Sequence, residues 1–163
     1  MHEGEIATDP ALVRRLLSSQ FPDWAELPAT LVSSFGTDHD IYRLGEHLAV
    51  RLPRIDWATE QAPKEAEWLP RLAPHLPLAV PTPLALGRPE HGYPFPWAVH
   101  EWLPGENATG GLHDLDQAAV DLARFITALG SVATDGAPPR RPGARGGRLA
   151  EHDERVRRAL AAL

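Results

Sequence analysis

Apolar and polar positions alternate most sharply over residues 41–54, IYRLGEHLAVRLPR, where two period-two runs flank a Gly-Glu turn. That pattern predicts a β-hairpin. In its second strand Leu48, Val50 and Leu52 share one face, and Ala49 and Arg51 share the other, because successive side chains of a strand point to opposite sides. A small residue beside a permanent cation suits an anion or a flat ring. Taken alone, an arginine on a half-buried strand is more commonly solvated or ion-paired, so its meaning depends on the neighbouring segments.

Upstream, Asp9 and Pro10 supply an N-cap and a first-turn residue, and Val13, Leu16, Leu17 and Phe21 recur at helical spacing up to Pro22. Residues 29–35 are β-branched enough for a strand, and the small polar loop 33–40 leads into the hairpin, giving an antiparallel meander. Over residues 59–75 the period becomes helical, with Ala62, Ala66, Leu69 and Leu72 on one side and Glu60, Glu65 and Glu67 among them. Pro63 fits an early turn of that helix, and Pro70 predicts a kink. Residues 84–87 read as a short strand, 88–94 as a turn, and 96–103 as a strand rich in aromatic residues. The glycine-rich polar stretch 103–111 reads as a hinge-like loop. Beyond it Leu115, Ala118, Ala119, Leu122, Phe125, Ile126 and Leu129 describe an amphipathic helix. Residues 134–147 are too rich in Gly, Pro, Ala and Arg to bury a core, and a last helix is expected over about residues 149–163.

Composition narrows the chemistry. At 163 residues and 43% hydrophobic content the chain can bury one ordinary core. Its net charge of -6 argues against a nucleic-acid partner. No stretch is long enough to span a membrane, and the acidic start MHEGE lacks the features of a signal peptide, so a cytoplasmic location is expected. Cysteine is absent, which removes disulfides, thiol nucleophiles and cysteine-bound zinc. Lys64 is the one lysine and sits in Pro-Lys-Glu, so there is no P-loop. The eight histidines include no pair at four-residue spacing, and no Gly-x-Ser-x-Gly elbow exists. The arginines between Arg140 and Arg158 read as a solvated loop and helix face.

The order sheet, helix, sheet, linker, helix is that of the smaller lobe of a protein kinase and the start of its larger lobe. With that order in view, DIYRLGEHLAVRLPR, KEAEWLPRLAPHLPLAVPTPLALG, YPFPWAVHEWLPGE and the weaker RGGRLAEHDERVRRAL resemble the aminoglycoside phosphotransferase family. The resemblance implies an α+β fold: a kinase-like N-terminal nucleotide-binding lobe over residues 1–103, with an antiparallel sheet of about five strands and a packed helix. Residues 104–163 would then be a hinge and the first helices of an incomplete second lobe.

It also implies roles. Ala49 would roof the adenine, and Arg51 would replace the lysine that contacts the α- and β-phosphates of ATP or GTP. A guanidinium fork suits phosphate oxygens but is bulkier than an ammonium. Glu65 matches the helix carboxylate that steadies this cation; the plainer reading is an exposed helix glutamate. Gly36, in the loop over the phosphates, would allow close backbone approach. The Glu101 carbonyl and Leu103 amide would bond the adenine edge, with His100 at the pocket entrance. Trp68, Trp97 and Trp102 read as core packing.

The family's reaction, phosphorylation of a hydroxyl on an aminoglycoside or similar small molecule, also needs a catalytic-loop aspartate followed five residues later by a magnesium-binding asparagine. Asn107 is the only asparagine, and Trp102 stands five residues before it. The sequence therefore assigns no catalytic residue and no Mg2+ ligand, and predicts an inactive fragment that can self-associate through exposed apolar surface. The alternative is a non-catalytic nucleotide-binding or protein-interaction module.

Overall fold

A computed structural model of the chain describes residues 5–33, 36–106, 108, 111, 114–137 and 153–161, the side chain of Arg155 excepted. Helix α1 (Pro10–Gln20) starts where its capping residues dictate: Asp9 Oδ1 accepts a hydrogen bond from the Leu12 amide at 2.6 Å, and Pro10 takes the first turn, where no donor is needed. Strand β1 (Ala29–Leu31) is shorter than the sequence pattern suggests, with one further bond from the Val32 amide to the Ile41 carbonyl, 2.8 Å. Ser34 and Phe35, at the far end of the expected strand, lie outside the described residues. Strands β2 (His39–Leu44) and β3 (Leu48–Pro53) form the hairpin, and Gly45 takes the left-handed conformation its turn requires, φ 59°. β2 begins two residues before the apolar alternation does, because His39 and Asp40 pair with Pro53 and Leu52.

Helix α2 (Gln61–Leu72) follows, with Pro63 in its first turn and Pro70 retained inside. Strands β4 (Pro83–Gly87) and β5 (Trp97–Glu101) complete one antiparallel sheet in the order β1-β2-β3-β5-β4. Its edges are a strand of three residues, β1, and a strand with a proline at its start and a register shift between Pro83 and Ala85, β4. Helix α3 (Leu115–Ser131) is capped by Asp114, whose Oδ1 accepts from the Gln117 amide at 2.8 Å. Helix α4 (Asp153–Ala161) is the described part of the expected last helix. The chain divides into two compact units, residues 1–132, which hold the sheet and α1 to α3, and residues 133–163, which hold α4.

One face of the sheet meets α1. Tyr42, Leu44, Val50, Leu52, Trp97 and Val99 interlock with Leu12, Val13, Leu16 and Leu17 in a single cluster, each large apolar side chain contributing about 1.5–3 kcal/mol by its burial. Trp97 fixes the neighbouring strand: a Cβ on Gly87 would fall 2.0 Å from its Cε2 atom, so only glycine fits there, and its Nε1 donates to the Arg88 carbonyl at 3.1 Å. Gln20, at the end of α1, ties in the same place, accepting from the Arg88 amide at 2.7 Å and donating to the Arg88 carbonyl at 3.1 Å. The other face of β4 and β5 is packed by α2.

Candidate functional site

The strand register sorts the candidate residues. Ala49 lies between Arg43 on β2 and His100 on β5, and Arg51 between Ile41 and Ala98. These positions share the face opposite the α1 core, as the alternation of β3 requires. From α2, Glu65 reaches the same face, and its Oε2 accepts from Arg51 NH1 at 2.5 Å. Neighbouring charges on α2 pair along the helix, Lys64 with Glu60 at 3.3 Å and Arg71 with Glu67 at 3.1 Å. Glu65 is thereby left for the sheet. Arg51 and Glu65 are about equally covered, with side chains 25% and 26% exposed, and Arg51 Nε has no hydrogen-bond partner. Glu65 therefore holds the guanidinium by one end, while its Nε is enclosed without a hydrogen-bond partner.

Two histidines flank this pair. Burial first, then the Arg51 charge, lowers the pKa of His39 to about 4. His100 is 1% exposed; its pKa is lowered mainly by burial, while Glu65 pulls the other way and Arg51 adds to the lowering. Both imidazoles are neutral at pH 7. The resemblance placed His100 at an entrance; the structure buries it beside its cross-strand partner Ala49, its Nε2 3.9 Å from Glu65 Oε2. Its neighbours across the sheet are Ala49 on β3 and Pro83 on β4.

The chain after β5 is bonded on alternate sides. The Glu101 amide donates to the Thr82 carbonyl at 2.9 Å, and the Trp102 amide to the His47 carbonyl at 2.8 Å. In an extended residue the N–H and C=O point the same way, so the Glu101 carbonyl also faces the β4 side, opposite Thr82. The Leu103 amide has no backbone partner among the described residues. Gly36 stands in the loop between β1 and β2, which Asp38 anchors by accepting from the Arg54 amide at 2.8 Å.

Arg51, Glu65, Ala49 and His100 are thus brought together, and Glu101 and Leu103 continue the strand that carries His100. Of the tryptophans, Trp97 is core. Trp102 is not: it is half-buried, with the Arg43 guanidinium 5.1 Å from its ring, in an open cavity of about 510 Å³ lined also by Glu46, His47, Pro104 and Gly105. Trp68 is likewise half-buried, with Arg71 5.0 Å from its ring. Aromatic content alone does not tell a core indole from one shielded by arginine. Sequence reasoning missed His39, whose place opposite Pro53 follows from extending the hairpin register by two residues. Among the described residues no cluster of three or more His, Asp or Glu side chains could hold a metal ion, and no helix is long and apolar enough to cross a membrane.

Solved structures share this fold. The GDP complex of a point mutant of aminoglycoside 2'-phosphotransferase-IIIa matches with a TM-score of 0.72 at 17% identity, covering 94% of this chain and 56% of that one. The GDP and kanamycin complex of APH(2")-IIIa matches with a TM-score of 0.66 at 19% identity, covering 76% and 43%. A streptomycin–ATP ternary complex of APH(2")-IIa gives 0.52 at 18%, covering 82% and 43%. The chain thus spans about half the length of these structures. No curated protein matches it in sequence. The sequence model of the phosphotransferase enzyme family matches residues 32–163, from the end of β1 through the sheet, the Arg51–Glu65 pair and the chain beyond β5, and the protein belongs to that family.

Proposed function

We propose that this chain supplies the nucleotide-binding half of a small-molecule kinase, one that transfers a phosphoryl group from ATP or GTP to a hydroxyl of an aminoglycoside-like acceptor. The observation that carries the reading is the Arg51–Glu65 ion pair, set between a central strand and a packed helix on the face that also bears Ala49. Arg51 would neutralise the α- and β-phosphates, Glu65 would hold its guanidinium in place, and Ala49 would leave room for the flat base. Gly36 would let the β1–β2 loop close on the phosphates, while the Glu101 carbonyl and Leu103 amide would bond the base edge. The nucleotide-binding lobe would end at residue 103, with residues 104–163 opening the second lobe. The neighbours crystallised with GDP or ATP, and with kanamycin or streptomycin, support this choice of ligands.

Positioning and charge neutralisation by magnesium supply most of the catalysis in such reactions. The chain holds no aspartate five residues before an asparagine, so the catalytic base and the Mg2+ ligands would come from elsewhere, and these 163 residues alone are expected to bind nucleotide without turning it over. A module that works through a second chain is the other reading, favoured by the apolar face of α3, where Leu115, Leu122 and Ile126 are exposed. Titration with a fluorescent ATP analogue tests the first. Arg51→Ala should weaken binding about tenfold or more, the loss expected for one charge-assisted contact. Binding equal to that of the unaltered chain would overturn the assignment of Arg51.

A further inference from the structure

Resting on that reading, we propose that His39 is a further phosphate-binding residue, one that takes up a proton as the nucleotide's phosphates arrive beside it. His39 opens β2 where the β1–β2 loop ends, and it pairs with Pro53, two places along β3 from Arg51. Alternation then sends its side chain to the face that carries Ile41, Ala49 and Arg51. The residue is only 9% exposed, so the imidazole has left most of its water behind. Among the described residues its ring forms no hydrogen bond, and neither ring nitrogen is one of the enclosed polar atoms without a partner. A largely desolvated ring whose polar edge is neither paired nor sealed, at the loop end of the Arg51 face, is placed to meet an anion.

The surrounding charges set the ring's response. Arg51 on β3 is already bonded to Glu65 of α2. Asp38 stands in the loop, and Asp40 turns to the opposite side of β2, where Thr8 donates to it at 2.6 Å and Arg54 lies 3.7 Å away. Burial, then the Arg51 charge, keep His39 neutral, with a pKa of about 4, against the pull of Glu65, Asp38 and Asp40. A triphosphate reverses that balance. It brings several negative charges to an arginine that Glu65 has already engaged. Its oxygens offset the Arg51 charge and add their own attraction, and both changes favour the imidazolium. The neutral ring offers a phosphate oxygen one N–H, and the protonated ring makes that bond charge-assisted. The proton comes from solvent, so binding and acidity are linked. Between pH 4 and the raised pKa of the complex, ATP binding takes up a proton, and affinity increases as pH falls through that range.

Calorimetric titration of the 163-residue chain with ATP at a fixed Mg2+ concentration, in buffers of different ionisation enthalpy, counts that proton. At pH 6 the unaltered chain should take up about half a proton more per ATP than His39→Gln does, and at pH 8 the two should agree. Glutamine keeps an N–H for a phosphate oxygen but cannot be protonated, so the difference isolates the charge on the ring. Ring NMR shifts of His39 in the unaltered chain give a readout independent of how well the variant folds. At pH 6 the ring should be neutral in the free chain and substantially protonated with ATP, while adenosine, which lacks phosphates, should leave it neutral. Equal proton uptake by the two chains at pH 6, or a His39 ring indifferent to ATP, overturns the proposal and leaves the nucleotide reading standing. If ATP does not bind, both fall.

Discussion

On the side of the sheet facing α1 most polar tips are matched, Arg54 Nε being an exception: the Tyr42 hydroxyl bonds Thr8 at 2.8 Å, the Tyr93 hydroxyl donates to the Pro53 carbonyl at 2.7 Å, and Trp97 Nε1 donates to Arg88. On the side facing α2, a cation, a carboxylate and two neutral imidazoles crowd together, and Arg51 Nε and both nitrogens of His100 go unmatched. The same strands build both, since each sends alternate residues to either side. The contrast teaches a division of labour. The α1 side holds the sheet together, and the α2 side carries enclosed polar groups without partners, at some expense in stability.

The largest effect should come from breaking the matched side. Trp97→Ala is expected to lower unfolding free energy by about 3–5 kcal/mol in denaturant titration, while any nucleotide affinity of the molecules that remain folded stays the same. An equal loss of affinity would show that the two sides are not separable. Next is acid. The folded-state pKa of His39 lies below its ordinary 6.5, at about 4. Between those values the unfolded chain takes up a proton that the folded chain refuses, so stability is full above pH 6.5 and falls as pH drops towards 4. The loss is at most about 3 kcal/mol, and thermal melts of His39→Gln across that range should show a flatter profile. A smaller change, Gly87→Ala, presses a methyl into Trp97 and should cost about 1–3 kcal/mol. Its readout is the denaturation midpoint. Smallest in stability is Glu65→Gln, where a partly exposed pair is lost; about 1 kcal/mol or less is expected. Yet the same change should weaken ATP-analogue binding several-fold, because Arg51 loses its anchor. Should its effect on stability exceed that of Gly87→Ala, the ionic side would be a structural element in its own right.

Much of this was legible in the chain. Asp9, Pro10 and the apolar spacing after them defined α1, and the alternation around Gly45 defined the hairpin with its two faces. The Arg51–Glu65 contact could be named only through family resemblance, since nothing in a helical glutamate's local sequence says which strand it will meet. His100 went astray for a related reason. Its neighbours in the chain, Val99 and Glu101, give a period of two but no depth, and depth comes from the strand β4 laid beside β5 and the helix α2 above them. The arginine shields over Trp68 and Trp102 were invisible for the same cause, being contacts of side chains whose flexibility no spacing rule captures.

The strands at the two margins of the sheet have a consequence for the molecule's company. A margin of three residues, β1, gives a foreign strand almost nothing to zip onto, and the proline and slipped register of β4 interrupt the ladder at the other margin. Growth by adding strand to strand, the usual route to fibrous aggregates, is thereby blunted on both flanks. Exposed apolar side chains of α3, such as Leu122 and Ile126, then stand as the larger liability.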